Sequence, residues 1–395
     1  MALLSPASKL VAPCLELEFF QLASRLEISA GQSIRLTELS RNGLAWDRLL
    51  QAARKHGVAG LWHRHHAMEW FEESPVGFQI GLLVEAEAQT RQNLLGLALL
   101  KELHPVLSPE YVCLKGPLLA QTLYGNLSSR PSHDLDCWVP LAEVERMEGV
   151  LRELGWTPQI ELYPEQEHWL REREYARTWY RTRDGAQLDL HWHWVPRGYS
   201  FHAEPELFSK RRRLARLGVV GGWTIPVLDA ETHLNFLLWH GAKHNWERWM
   251  PLVDVAGWLR MYPGLDWDRV EAQAAAFGGP RILLWGLGLA AEMLDAPVPA
   301  SFLERCFRNE DVTNLISAAA RNLARLDQSK RERMDTLFIR ALEQPADRQR
   351  HRGRILWEPT PIEWKMLRLP ETWYGLYYVL RGVRMISSPI RNLLK

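Results

Sequence analysis

Two aspartates one residue apart, in Arg130-Pro131-Ser132-His133-Asp134-Leu135-Asp136-Cys137-Trp138-Val139, are the part of this sequence best suited to chemistry. In an extended segment alternate side chains share a face, so Asp134 and Asp136 point one way while Leu135 and Cys137 point into a core. Neighbouring carboxylates repel each other, and burying them unpaired is costly. A hard divalent cation removes the conflict: Mg2+ (or Mn2+) binds through one or two carboxylates, with phosphate oxygens and water completing its shell. The segment Ala186-Gln187-Leu188-Asp189-Leu190-His191-Trp192-His193 repeats the alternation, with Asp189 on its polar face. Laid beside the first segment, it brings a third carboxylate, and three carboxylates on adjacent strands suffice for two cations. Groups for phosphate charge lie close by. Lys115-Gly116-Pro117 offers a cation, a turn that lets backbone approach a ligand, and the free N–H groups of a helix start. Arg130, four residues before Asp134, is a further candidate to neutralise phosphate.

These residues need a small sheet to position them. Residues 111–114 read as a short strand ending in the Lys115-Gly116-Pro117 turn, and Pro117 suits the first position of a helix over 118–124. A polar loop over 125–133 leads to a strand over 134–139, and a helix over 141–154 ends at Gly155. Residues 175–194 read as a hairpin turned at Asp184-Gly185. On either side the pattern is helical. The predicted organisation is a helical region over 1–105, an α/β core over 106–200 and a helical region over 201–395. Later helices are expected over 232–245, 251–261, 281–295, 312–326, 331–343 and 369–386. The fold class is α+β, a small mixed sheet between extensive helical additions.

The ordered set Leu114-Lys115-Gly116, Leu123-Tyr124, Arg130 through Asp136, and Leu188-Asp189-Leu190-His191-Trp192 resembles the uncharacterised nucleotidyltransferase family of the DNA polymerase β-like superfamily. The stretch His240-Gly241-Ala242-Lys243-His244 with Trp249 and Asp254, and the closing Leu369-Pro370-Glu371 with Tyr377 to Arg381, are similar to that family too. The resemblance implies a nucleotidyltransferase core in which Asp134 and Asp136 are the metal-binding pair and Asp189 the third acid. The reaction expected is transfer of a nucleotidyl group from a nucleoside triphosphate, with Lys115, the Gly116 backbone and Arg130 handling phosphate charge, to an unidentified acceptor: a small molecule, a peptide, a protein or an RNA. The wider superfamily opens its phosphate-binding helix with Gly-Gly or Gly-Ser, where this chain has Lys115-Gly116-Pro117.

Other readings remain open beside this one. His240 and His244 are four apart on an expected helix, a spacing that lets two imidazoles meet one metal, and His191 and His193 share a strand face. Together they define a rival, a histidine-based metal hydrolase, although no Glu follows His240 as in zinc proteases. His191, His240, Lys243 and His244 are otherwise second-shell candidates facing the acids. A binding module without catalysis is the third reading. The aromatic and basic stretch 364–395 reads as an amphipathic helix packing its aromatic side inward, and Lys210 to Arg213 with Arg216 as a solvated basic loop.

Composition narrows the classes. Lys+Arg 48 against Asp+Glu 47 gives a net charge of +1, so no global field gathers nucleic acid and there is no strong nucleic-acid signature. Cys14, Cys113, Cys137 and Cys306 show no metal-knuckle spacing or disulfide framework. No run of residues is apolar enough for a membrane span, and the first twenty residues lack a signal-peptide pattern, so a cytoplasmic location is expected.

Overall fold

A computed structural model describes residues 14–107, 111–194, 212–216, 224–276, 279–326 and 335–393. Its strands are β1 (Val112–Cys113), β2 (Leu135–Trp138), β3 (Thr157–Pro158), β4 (Ala176–Arg181), β5 (Ala186–His191), β6 (Arg212–Arg216) and β7 (Thr224–Leu228). They form one mixed sheet in the order β3-β4-β5-β2-β1-β7-β6. β2 runs parallel to β5 and antiparallel to β1, and β1 is parallel to β7. The expected α+β class is what the chain adopts, with helices making up most of the rest.

Local sequence explains the central elements. β4 and β5 are joined at Asp184-Gly185, where Gly185 takes a left-handed φ of 69° and Asp184 accepts a 2.6 Å bond from the Arg181 guanidinium. Along β5, Leu188 and Leu190 are buried while Gln187, Asp189 and His191 are partly open. β1 and β2 are buried on both faces, as central strands covered by helices are. Gly116 precedes the helix Pro117–Tyr124 with φ 82° and ψ −144°, a conformation essentially reserved for glycine. A Cβ there would also sit 3.2 Å from both the Asp134 carbonyl and Ser132 Oγ.

The loop from Gly125 to Asp134 is held from several sides. Asn126 Oδ1 accepts from the backbone N–H of Ser128 and Ser129 at 3.0 and 2.9 Å. Asn93, fully buried on the helix Val76–Leu103, donates to the carbonyls of Leu127 and Arg130 at 2.7 and 2.8 Å. Arg130 then turns inward. Its Nε lies 3.0 Å from Asp254 Oδ1 and its Nη2 2.9 Å from Asp254 Oδ2, and Tyr124 donates to the same carboxylate at 2.7 Å. Asp254 belongs to the helix Trp249–Met261, so one buried cluster fastens the C-terminal helices to the loop before β2.

The structure differs from the sequence reading in places. Two strands lie beyond residue 200, and β7 is an inner strand beside β1. Pro226 interrupts the short apolar run of β7, and proline ordinarily argues against an inner strand. β3 and the helix Pro164–Arg173 also escape the sequence pattern. The last helix begins at Leu376 rather than 369. Of the expected 331–343 helix, Asp335–Ala341 falls within the described residues. In the basic cluster, Lys210 and Arg211 lie outside them, and Arg212–Arg216 is described as strand backbone only.

Replacing Asp254 by alanine leaves a buried guanidinium and a buried phenol without their carboxylate. The expected loss is about 3–5 kcal/mol, read as a lower urea midpoint at unchanged slope. The double variant Arg130→Met/Asp254→Leu should recover part of that loss, because no unpaired charge is then buried.

Candidate active site

The parallel pairing of β2 and β5 sets Asp136 directly opposite Asp189, and Trp138 opposite His191. Asp189 and His191, two apart on β5, share a face with Asp136. Asp134 stands at the entrance to β2. Asp136 is 2% exposed, which makes its charge the most demanding in the site. Lys115 answers it: Nζ is 2.8 Å from Asp136 Oδ2 and 3.5 Å from Asp134 Oδ1. His191 Nε2 lies 3.1 Å from Asp136 Oδ1 and completes the ring of partners.

The electrostatics follow from burial and pairing. Burial works to raise the Asp136 carboxyl, but the Lys115 charge and the His191 hydrogen bond outweigh it and hold Asp136 well below the ordinary carboxylate range. Asp134 moves the other way, raised by burial and by the Asp136 charge despite Lys115. Burial disfavours the Lys115 ammonium, yet Asp136 and Asp134 more than compensate and push it up to about 12.

These groups form one wall of a cavity of about 330 Å³. The facing wall is the C-terminal end of the helix Ala230–Lys243, which presents Phe236, Trp239, His240 and Lys243, with His244 just beyond. His240 is driven far below the usual imidazole range by burial and then by the Lys115 charge. Burial and the Lys243 charge bring His244 down to about 4. Both rings are therefore neutral near pH 7 and add no charge to the cavity. Lys243 hydrogen-bonds the Tyr175 hydroxyl and lies 4.1 Å from the centre of its ring. Among the described residues it has no carboxylate within ion-pair distance.

The predicted site residues thus fall into two groups. Asp134, Asp136, Asp189, Lys115, His191, His240, Lys243 and His244 all line the cavity. Gly116 and Arg130 are not among its lining residues. Arg130, expected at the phosphates, is instead committed to Asp254. Gly116 shapes the turn that carries Lys115. The sequence reading missed Glu174, Tyr175 and Thr178, which reach the cavity from β4 and the residues before it. Their signal was present in the hairpin register, which puts Thr178 opposite Asp189.

The donors fit a divalent cation. Asp136, Asp189 and His191 offer ligand atoms within 4.8 Å of one another, the one such cluster of three among the described residues. Asp189 Oδ1 is buried without a hydrogen-bond partner, an uncompensated acceptor of the kind a metal site leaves. The four histidines of the rival hydrolase reading do not form such a cluster. His240 and His244 have their ring centres 4.9 Å apart on the far wall.

A mixed sheet with paired carboxylates on neighbouring strands, flanked by a Lys-Gly turn and a helix, defines a nucleotidyltransferase core. The family model described as uncharacterised nucleotidyltransferase matches residues 42–295, and the chain belongs to that family. No curated protein and no solved structure matches it significantly.

Asp189→Asn removes one of the facing carboxylates while keeping shape and volume. The metal-free melting temperature should stay level or rise, because a like-charge repulsion disappears. The stabilisation produced by Mn2+ should be largely lost. Thermal unfolding with and without MnCl2 checks both; an unchanged Mn2+ response would place the cation elsewhere.

Proposed function

We propose that this chain transfers a nucleoside monophosphate from a nucleoside triphosphate to an acceptor, releasing pyrophosphate. The observation that carries this reading is the register of Asp136 against Asp189, with Asp134, His191 and Lys115 around them in one cavity. The acceptor oxygen or nitrogen forms its bond to the α-phosphorus as the α–β bridging bond breaks, and pyrophosphate leaves with that electron pair. Asp134, Asp136 and Asp189 would hold Mg2+ or Mn2+, with His191 beside them. When bound, the cation offsets triphosphate charge and lowers the pKa of the attacking hydroxyl.

The protein groups divide the remaining work. Asp189, with an unpartnered buried oxygen, takes up the acceptor proton. Lys115, already turned toward the carboxylates, stands where the α-phosphate charge gathers. Lys243 takes the phosphate role that the sequence assigns to Arg130, because it faces the cavity and has no carboxylate partner among the described residues. Tyr175 holds that ammonium in place by its hydroxyl and its ring. The neutral imidazoles of His240 and His244, with Phe236 and Trp239, give the facing wall a largely uncharged surface suited to a base or an acceptor ring. Among acceptors, a small molecule, a peptide, a protein and an RNA end are all compatible with this chemistry, and the reaction belongs to a cytoplasmic setting with abundant nucleotide.

Asp136→Asn should abolish transfer of label from α-labelled nucleotide, lowering pyrophosphate release more than a hundredfold. Lys243→Gln should raise the nucleotide concentration needed for half-maximal thermal stabilisation by roughly tenfold or more, the effect of one lost charge-assisted hydrogen bond. Wild-type protein that no nucleotide stabilises in the presence of Mg2+ or Mn2+ would refute the proposal.

A further inference from the structure

The C-terminal elements are put together in an unusual way. The last helix, Leu376–Leu393, packs Tyr377 and Leu380 on the core and is further fastened to the fold by polar groups. Arg381 donates to the Ile355 carbonyl at 2.8 Å, and Arg384 pairs with the fully buried Glu363. The Tyr377 hydroxyl bonds the Leu367 carbonyl and accepts from Gln166, both at 2.8 Å. An apolar stripe of the same helix points away. Leu376, Val379 and Val383, spaced three and four apart, are 40%, 60% and 60% exposed. The helix thus carries a second apolar stripe besides the Tyr377 and Leu380 side chains that it packs on the core.

The neighbouring elements extend this surface. Eleven of the twenty-one large hydrophobic side chains exposed among the described residues fall between Leu356 and Met385, with Trp357 62%, Met366 60% and Trp373 60% open. A concentration of this kind marks a contact surface rather than scattered exposure. The exposed charges among the described side chains from 345 to 385 are all cationic: Arg352, Lys365, Arg350, which pairs with Asp347 at 3.4 Å, and Arg368, which pairs with Glu165 at 3.2 Å. The described acids of this stretch, Asp347, Glu358 and Glu363, are withdrawn. Glu363 is buried on Arg384, and Glu358 sits between Arg173 and Arg354.

We propose that this surface docks on an anionic lipid bilayer. Aliphatic side chains enter the acyl boundary, tryptophans settle at headgroup level, and the cations meet lipid phosphates. A second copy of the chain would set cation against cation. A nucleic acid would gain little from valine, leucine and methionine, which offer no face for base stacking. None of the helices in the described residues is long and apolar enough to cross a membrane, so the chain lies on the surface. The docking elements also reach the cavity: Arg354, on the helix Pro345–Leu356, pairs at 2.6 Å with Glu174 of the cavity wall.

Co-sedimentation of the full chain with vesicles tests this. We expect binding to phosphatidylglycerol–phosphatidylcholine vesicles at least tenfold stronger than to pure phosphatidylcholine, weakening as salt rises. Val379→Glu/Val383→Glu should abolish it at unchanged melting temperature. Should that pair disturb the fold, Arg350→Gln/Lys365→Gln, on exposed side chains, should weaken anionic binding severalfold. Asp136→Asn should bind vesicles like wild type, which separates this test from that of the nucleotidyl-transfer reading. Absence of binding to anionic vesicles, or equal binding by wild type and the glutamate variant, overturns the proposal. So does dimerisation in light scattering, or retention of RNA, that the glutamate variant loses.

Discussion

Asp136 and Asp189 face each other across two parallel strands, and like charges at that separation, one of them almost fully buried, oppose folding. The register cannot relax. A slip of β2 by one residue would turn Asp136 into the core and Leu135 or Cys137 toward the cavity. The repulsion is therefore met where it arises. Lys115 lies across Asp136 and Asp134, and His191, two residues from Asp189 on the same face, takes the remaining oxygen of Asp136. Lys115 gets there because Gly116 adopts a backbone conformation closed to other residues. The turn before the helix Pro117–Tyr124 is thus as much part of the electrostatic solution as the lysine.

A second buried charge pair performs a different task. Arg130 and Asp254 neutralise each other away from the cavity, and Tyr124 joins them, so three distant parts of the chain meet in one cluster. A buried pair of this kind contributes little net stability over an apolar substitute, but it is costly to break on one side only. Its value lies in position. It fixes the loop leading into β2, and it keeps the C-terminal helices against the core so that His240 and Lys243 face the acids.

What was legible in the sequence depended on range. The strand period separated Asp134, Asp136 and Asp189 from their apolar neighbours, and Asp184-Gly185 announced the hairpin that delivers Asp189. The four-residue spacing of His240 and His244 was a local signal, and both rings line one wall of the cavity together with Lys243 at the end of the helix. The direction of Arg130 was not legible. An arginine beside a carboxylate pair has the same local sequence whether it turns to phosphate or to an aspartate 124 residues later. In the C-terminal segment the expected inward packing holds for Trp364, Tyr374 and Tyr377, while the exposed stripe of Leu376, Val379 and Val383 was not legible. The helix spacing shows two faces, but the choice of buried face rests on Glu363, Gln166 and the Ile355 carbonyl, partners that no local pattern contains.

The cavity wall before β4 shows how these parts depend on one another. Glu174 is held by Arg354 from the C-terminal elements, while its carbonyl accepts from Trp192 Nε1 just beyond β5. Tyr175, the next residue, holds Lys243 from the helical wall. Two adjacent residues thus connect the acid-bearing sheet, the helix that carries the facing cation and the elements of the exposed apolar surface. Their backbone has little freedom to move alone, since Tyr175 O also accepts from the N–H groups of Trp192 and His193. A shift of the C-terminal elements would reach the cavity through Arg354 and Glu174, and from there the position of the Lys243 ammonium. The site is in this sense built by the whole chain, although its carboxylates occupy a few residues of two strands.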